Sequence, residues 1–149
     1  MAQTEHLPIY KRAYDLCLYL EQIVRNFSRY HKYSLGQDLR DSARQVLRLV
    51  VRANARRDKT PVLLALREEV EELKVLLRLS HDAKAFANFK AFEQAITQVT
   101  DIARQNEGWL KSQQQGRGPT GASPTGADPT GAGQNRPAIS AGAAGPSVP

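Results

Sequence analysis

The sequence has few of the residues that would link the chain covalently or anchor it in a bilayer. It has one cysteine, Cys17, in 149 residues, so an internal disulfide bond is excluded and nothing points to secretion. Its longest apolar runs, at 62–66 and 49–51, are far shorter than the roughly 20 residues of a membrane-spanning helix. The N-terminal segment has no apolar signal core. These absences favour a reducing, cytoplasmic compartment and no membrane segment.

The sequence also lacks the motifs of common catalytic, metal and cofactor sites. The three histidines and Cys17 do not have metal-ligand spacing, and there is no Glu-x-x-His pair of the kind that builds carboxylate metal sites. Neither a P-loop nor a GxGxxG motif is present. We therefore predict that the chain is not an enzyme and that it needs no cofactor.

The composition of the chain changes near residue 112. Residues 119–133 repeat a Pro-Thr-Gly-Ala pentad three times, and the only large apolar side chains beyond the change are Ile139 and Val148. So little apolar surface cannot offset the conformational entropy that is lost on ordering. We expect a folded domain at 1–112 and a disordered, linker-like tail at 113–149.

Apolar residues before this point recur mostly at steps of three and four, which is typical of helices that bury one face. A capping box is predicted at Ser34 and Gln37, and N-caps are predicted at Thr60, before Pro61, and at Asn88. The predicted helices run from about Pro8 to Arg29, from Ser34 to about Arg57, from Pro61 to Asp82, and from Asn88 to beyond Trp109.

Four helices of this length with short connections favour antiparallel neighbours. No stretch alternates with a period of two, so we expect no strands. The predicted fold is all-α, an up-down-up-down antiparallel four-helix bundle. A bundle of about 105 residues buries a modest core, and oligomerisation would bury more apolar surface.

Basic residues form the main functional signal. The net charge is +6, and the predicted domain holds 19 Lys and Arg against 14 Asp and Glu. In RDSARQVLRLVVRANAR an arginine recurs at every fourth position. On a helix, steps of four advance by about 40°, so these arginines wind across the face opposite the apolar stripe. We call this set the arginine ladder, and its members are Arg40, Arg44, Arg48, Arg52 and Arg56.

Two interpretations of the arginine ladder are open from the sequence. Like charges at i,i+4 repel, and Arg48 and Arg52 have no acidic residue three or four positions away, so the ladder favours an external anion such as phosphate. Alternatively, the ladder is a solvated surface, or the EEVEE run at 68–72 neutralises it within the bundle or between subunits.

Aromatic residues also have two interpretations. Phe27, Tyr30 and Tyr33 either stack on nucleic-acid bases or pack over the end of the bundle, and packing is our expectation. Cys17 lies on the apolar stripe of the first helix and is expected to be a small core residue.

The segments LPIYKRAYDL, KYSLGQDLRDSA, VVRANARRDK, LLRLSHD and EGWLKSQ lie at helix ends. Their order and spacing over residues 7–113 resemble a family of small bacterial four-helix bundle proteins. That family includes the accessory variability determinant protein of diversity-generating retroelements, and relatives encoded in intervening sequences of large ribosomal RNA genes. The resemblance implies a homopentameric, basic barrel that binds RNA or DNA and partners a reverse transcriptase.

By this resemblance, the chain would be a non-enzymatic accessory of a reverse transcriptase, supporting template-RNA-dependent cDNA synthesis in mutagenic retrohoming. The alternative is an oligomeric protein–protein interaction bundle whose arginine ladder docks on an acidic protein surface. The residues that the resemblance assigns to the nucleic-acid-binding surface are Arg40, Arg44, Arg48, Arg52, Arg56, Arg57 and Lys59.

Overall fold

The computed structural model describes residues 4–116, and the regular structure in this part of the chain is entirely helical. The expected all-helical fold with four long helices is confirmed. Tertiary contacts group the residues up to Leu110 into one compact unit, which is the bundle. The predicted tail at 113–149 lies outside the described residues, apart from 113–116, where the last helix continues.

A turn of 3-10 helix at Thr4–His6 precedes the first long helix. The helices are α1 at Pro8–Arg25, the single turn α2 at Arg29–Lys32, α3 at Leu35–Ala55, α4 at Thr60–Asp82 and α5 at Phe89–Gly116.

Helices α1 and α3 pair in opposite directions. Near the start of α1, Thr4 Oγ1 accepts a hydrogen bond from Nδ2 of Asn54, at the end of α3 (3.0 Å). At the other end of the pair, Gly36 of α3 lies against Val24 of α1 and against Phe27, which follows α1. The two helices are therefore antiparallel, with α3 also packed along α4.

Helix α5 runs antiparallel to α1. Nε of Arg12, early in α1, lies 2.9 Å from Oδ2 of Asp101, near the middle of α5. The Tyr19 hydroxyl, further along α1, donates to the carbonyl oxygen of Ala91, early in α5 (3.3 Å). On the α4 side of α5, the Arg67 guanidinium donates two hydrogen bonds of 2.8 Å to the Glu107 carboxylate, and this holds the pKa of Glu107 below its ordinary value.

Each long helix contributes one apolar stripe to a single core, as the helical periodicity predicts. The largest side chains with almost no solvent exposure are leucines, isoleucine and valines from all four long helices. They are Leu16, Leu20, Val24, Leu39, Val46, Val50, Leu63, Leu66, Val70, Leu73, Leu77 and Ile102.

The predicted capping box at Ser34 and Gln37 is wrong. Ser34 precedes α3 but makes no side-chain cap, because its hydroxyl donates to the carbonyl oxygens of Tyr30 and His31 (3.3 and 3.5 Å). The first helix ends at Arg25 rather than Arg29, and a separate turn, α2, leads into α3.

Two other predicted helix starts have different outcomes. The N-cap position of α4 is Lys59, so Thr60 is the first helical residue and not the cap that was predicted. Asn88 does cap α5, since its Oδ1 accepts a hydrogen bond from the backbone N–H of Ala91 (2.9 Å). The second long helix ends at Ala55, two residues before the predicted Arg57.

Gly36 lies where α3 closely approaches α1. A Cβ atom at this position would lie 2.6 Å from Cγ1 of Val24 and 3.3 Å from the carbonyl oxygen of His31, so a neighbour would have to shift. We expect Gly36→Ala to destabilise the protein by about 1–3 kcal/mol, because overpacking outweighs the better helix propensity of alanine. Urea denaturation measures the difference.

Gly108→Ala is the matched control for this prediction. A Cβ atom on Gly108 meets nothing within 4 Å, so the substitution should stabilise the protein by up to about 1 kcal/mol. Equal stability of the two variants would show that the contact between α1 and α3 is looser than described.

Candidate nucleic-acid interface

Helix α3 directs the arginine ladder outwards because its opposite face is buried against α1 and α4. Arg44, Arg48, Arg52 and Arg56 are exposed, and Arg40 is partly buried with its side chain 19% exposed. The surface position that the helical geometry predicts is therefore observed for Arg44, Arg48 and Arg52. Arg56 is exposed as well, but it is the C-cap residue that follows α3, so the expectation that one helix carries all five arginines is wrong for the last of them.

The first two arginines of the ladder are neutralised by acidic residues. Nη2 of Arg44 lies 3.0 Å from Oε2 of Glu21 on α1, and its Nη1 lies 3.1 Å from Oδ1 of Asp41. Nη1 of Arg40 lies 3.7 Å from Oε1 of the same Glu21, and its Nη2 donates to Gln37 Oε1 (2.6 Å). The start of the ladder is thus an internal ion-pair cluster.

The later arginines have no such partners. Nε of Arg48 donates to the amide oxygen of Gln45 (3.1 Å), which is neutral. Within residues 4–116, none of Arg48, Arg52, Arg56 and Arg57 forms an ion pair, and all four are exposed. We call these four residues the open arginines.

Lys59 is engaged differently from the open arginines. Its ammonium donates to the carbonyl oxygens of Ala53 (3.1 Å), Asn54 (3.4 Å) and Arg56 (2.6 Å). These carbonyls lie at the end of α3, where a cation stabilises groups that have no partner within the helix. Lys59, which the resemblance assigns to the basic surface, therefore caps α3 in this structure.

The acidic run of α4 does not neutralise the ladder within the bundle. Glu69 accepts a hydrogen bond from the Ser42 hydroxyl (2.7 Å), and Glu71 lies 3.2 Å from Nζ of Lys74. No carboxylate of this run forms an ion pair with the ladder among the described residues. Arg48 lines an open groove of about 460 Å³ between α3 and α4 together with Glu69 and Glu72, without an ion pair to either of them.

Several features of this surface escaped prediction from the sequence. Glu21 is 23 positions from Arg44, so no local spacing connects them. Tyr30 and Tyr33, expected to pack over the end of the bundle, are 85% and 75% exposed, and only Phe27 is buried there. For the two tyrosines the packing expectation is wrong.

Other kinds of site have little support in the part of the chain that the structure describes. Over residues 4–116 there is no group of three or more His, Cys, Asp and Glu residues placed to hold a metal ion. In the same range, no helix combines the length and the apolar composition that crossing a membrane requires.

The fold and the outward ladder define a small four-helix bundle with a basic face. A family model described as bAvd-like matches residues 7–113, and the chain belongs to this family. The resemblance inferred from the segments at the helix ends is thereby confirmed. No curated protein matches the chain.

Cys17 lies beneath the ladder and is expected to react slowly. Burial raises the pKa of its thiol from 9.0 to about 11, although Arg44 and Arg48 act in the opposite direction. The thiolate fraction falls tenfold for each unit of pKa, so alkylation at about pH 8 should be roughly 100-fold slower in the native protein than in the unfolded chain.

The pH dependence of the native alkylation rate separates a raised pKa from simple shielding. The rate should still rise tenfold per pH unit as the pH passes the ordinary thiol pKa of 9.0. A plateau below that pH would contradict the assignment. Arg44→Gln removes a nearby positive charge and should slow the reaction further.

Proposed function

We propose that this protein is a non-enzymatic, nucleic-acid-binding accessory of a reverse transcriptase. In that role it supports template-RNA-dependent cDNA synthesis during mutagenic retrohoming by a diversity-generating retroelement. Membership of the bAvd-like family supports the accessory role. The observation that carries nucleic-acid binding is the set of open arginines, two on the outside of α3 and two directly after its end.

The open arginines favour an external polyanion for an energetic reason. Arg48 and Arg52 repel each other by a few tenths of a kcal/mol, as an i,i+4 pair on α3. Among the described residues neither of them forms an ion pair that would relieve this repulsion. Phosphate groups would do so, and guanidinium groups bind phosphate with two parallel hydrogen bonds.

The proposed assembly is a homo-oligomer, with five subunits as the resemblance implies. A pentamer would present about 20 open arginines on one particle. The electrostatic field of these charges attracts RNA and DNA, and added salt screens it. Contacts to phosphates carry no sequence information, so the polymerase or the shape of the RNA would supply specificity.

The triple variant Arg48→Gln, Arg52→Gln, Arg56→Gln tests the nucleic-acid surface. Each lost phosphate contact reduces the log–log salt dependence of binding by about 0.9 on duplex and about 0.7 on single strands. The variant should therefore bind labelled RNA and DNA more weakly, with a salt slope lower by about 2–3. Fluorescence anisotropy across a salt series measures both quantities, and light scattering checks the assembly.

Arg67→Gln, Arg78→Gln, Arg104→Gln is the matched control because it removes the same charge from α4 and α5. It should leave the salt slope close to that of the wild type. Equal losses in the two triple variants would mean that net charge, and not the face of α3, governs binding. Failure of the wild type to bind at low salt would overturn the proposal.

A second candidate is a protein–protein interaction bundle whose ladder docks on an acidic protein surface. The outer face of α4 supports it, because Glu68, Glu71 and Glu72 are exposed beside Val75 and Leu79, which are 59% and 50% exposed. Such a face would suit the basic face of another subunit. This candidate predicts a defined oligomer in light scattering with little affinity for nucleic acid.

A further inference from the structure

The end of the bundle opposite the open arginines is built from aromatic rings. His81 stacks on Phe92 with ring centroids 4.3 Å apart and 13° between the ring planes. Phe86 meets Phe27 and Phe92 edge to face, at 5.2 and 5.7 Å. Phe89 completes this ring cluster, with its centroid 5.6 Å from that of His81. Phe27 is buried, but Phe89 remains 59% exposed.

A cavity of about 310 Å³ opens beside the ring cluster at the turn between α4 and α5. Phe89 and His81 contribute ring surfaces to its wall, and Asp82 and Asn88 contribute hydrogen-bonding groups. Lys84 adds an ammonium group. Ring surfaces beside hydrogen-bonding and charged groups suit a flat heterocyclic ligand that stacks on a ring and carries polar atoms at its edge.

Lys84 occupies a backbone position that normally belongs to glycine. Its φ is 64°, and the N–H groups of Lys84 and Ala85 donate to the carbonyl oxygens of His81 and Ser80 (2.9 Å each). This is the helix-ending arrangement in which glycine is strongly preferred, because other residues are strained there. A strained lysine that lines a cavity points to a role for its side chain.

Asp82 is the one acidic residue in the lining of this cavity, and the segments that flank it carry only positive charge. Residues 25–33 and 83–92 contain no acidic residue. A second cavity, of about 220 Å³, shares Asn88 with the first and is lined also by Asn26 and Lys90. The basic residues of the two segments are Arg25, Arg29, Lys32, Lys84 and Lys90.

We propose that this cavity binds an unstacked base of single-stranded nucleic acid, with Phe89 as the stacking ring and Lys84 on the adjoining phosphate. Exposed rings next to basic side chains are the combination that binds single strands without sequence preference. The inference rests on the proposed function and names the single-strand site within it. Tyr30, exposed three residues after the buried Phe27, offers a further ring for a neighbouring base.

Abasic strands test the base site independently of the ladder. Labelled oligouridine, an abasic strand of the same length and a duplex are compared by fluorescence anisotropy. Stacking of one base should make the wild type prefer oligouridine to the abasic strand by about fivefold or more. Phe89→Leu should lose most of this preference, whereas Phe89→Tyr, which keeps the ring, should retain it.

Lys84→Gly separates a binding role from a folding role. Glycine relieves the strained backbone, so the melting temperature should not fall below that of the wild type. Binding of single strands should nevertheless weaken, with a salt slope lower by about 0.7. Leu18→Ala is the control for Phe89→Leu. Leu18 is an apolar side chain on α1 that is 53% exposed, close to the 59% of Phe89.

Three results would overturn the base site. The first is equal binding of oligouridine and the abasic strand by the wild type. The second is full preference in Phe89→Leu with an unchanged oligomeric mass. The third is full preference in Phe89→Leu with a changed oligomeric mass, which would make the patch a subunit contact. In each of these cases, duplex binding by the wild type leaves the proposed function standing. Loss of all nucleic-acid binding at low salt would instead overturn both proposals.

Discussion

Burial of one apolar stripe of α3 against α1 and α4 is the constraint on which the basic surface depends. A shift of one residue along this helix would rotate every arginine by about 100° and bring some of them under a neighbouring helix. An unpaired guanidinium is costly to bury, so the core stripe fixes the ladder on the outside. The close contact of Gly36 with Val24 sets the register, because α3 cannot slide without a clash at that position.

Helical geometry also explains why only part of the ladder is neutralised. Successive arginines are one turn higher and about 40° further round the helix, while α1 runs alongside in one direction. Glu21 therefore reaches Arg40 and Arg44 but forms no ion pair with Arg48. On the α4 side of α3, the Glu69 carboxylate accepts a hydrogen bond from Ser42 and forms no ion pair with Arg48. The arginines therefore differ in their partners although their spacing is constant. Arg40 and Arg44 form ion pairs, and Arg48 and Arg52 form none among the described residues.

The features that could be predicted from sequence are those that depend on a local repeat. The apolar steps of three and four indicate the four helices, and the step of four places the ladder opposite the core. Features that depend on competing partners could not be predicted: the Ser34 hydroxyl donates to the carbonyls of α2 instead of capping α3, and Lys59 caps the end of α3. The pairing of Glu21 with Arg44 depends on a tertiary contact, and no spacing in the sequence encodes it.

The two proposed surfaces would make different contributions to binding. Phosphate contacts by the open arginines act on any strand, so they cannot separate single strands from duplex. A ring that stacks on a free base can, because the bases of a duplex are already stacked. The open arginines lie towards the end of α3 and the ring cluster lies beyond its start, and a helix of 21 residues is about 30 Å long. At that separation substitutions in the two surfaces should act additively on affinity, unless one strand runs the length of α3 and couples them.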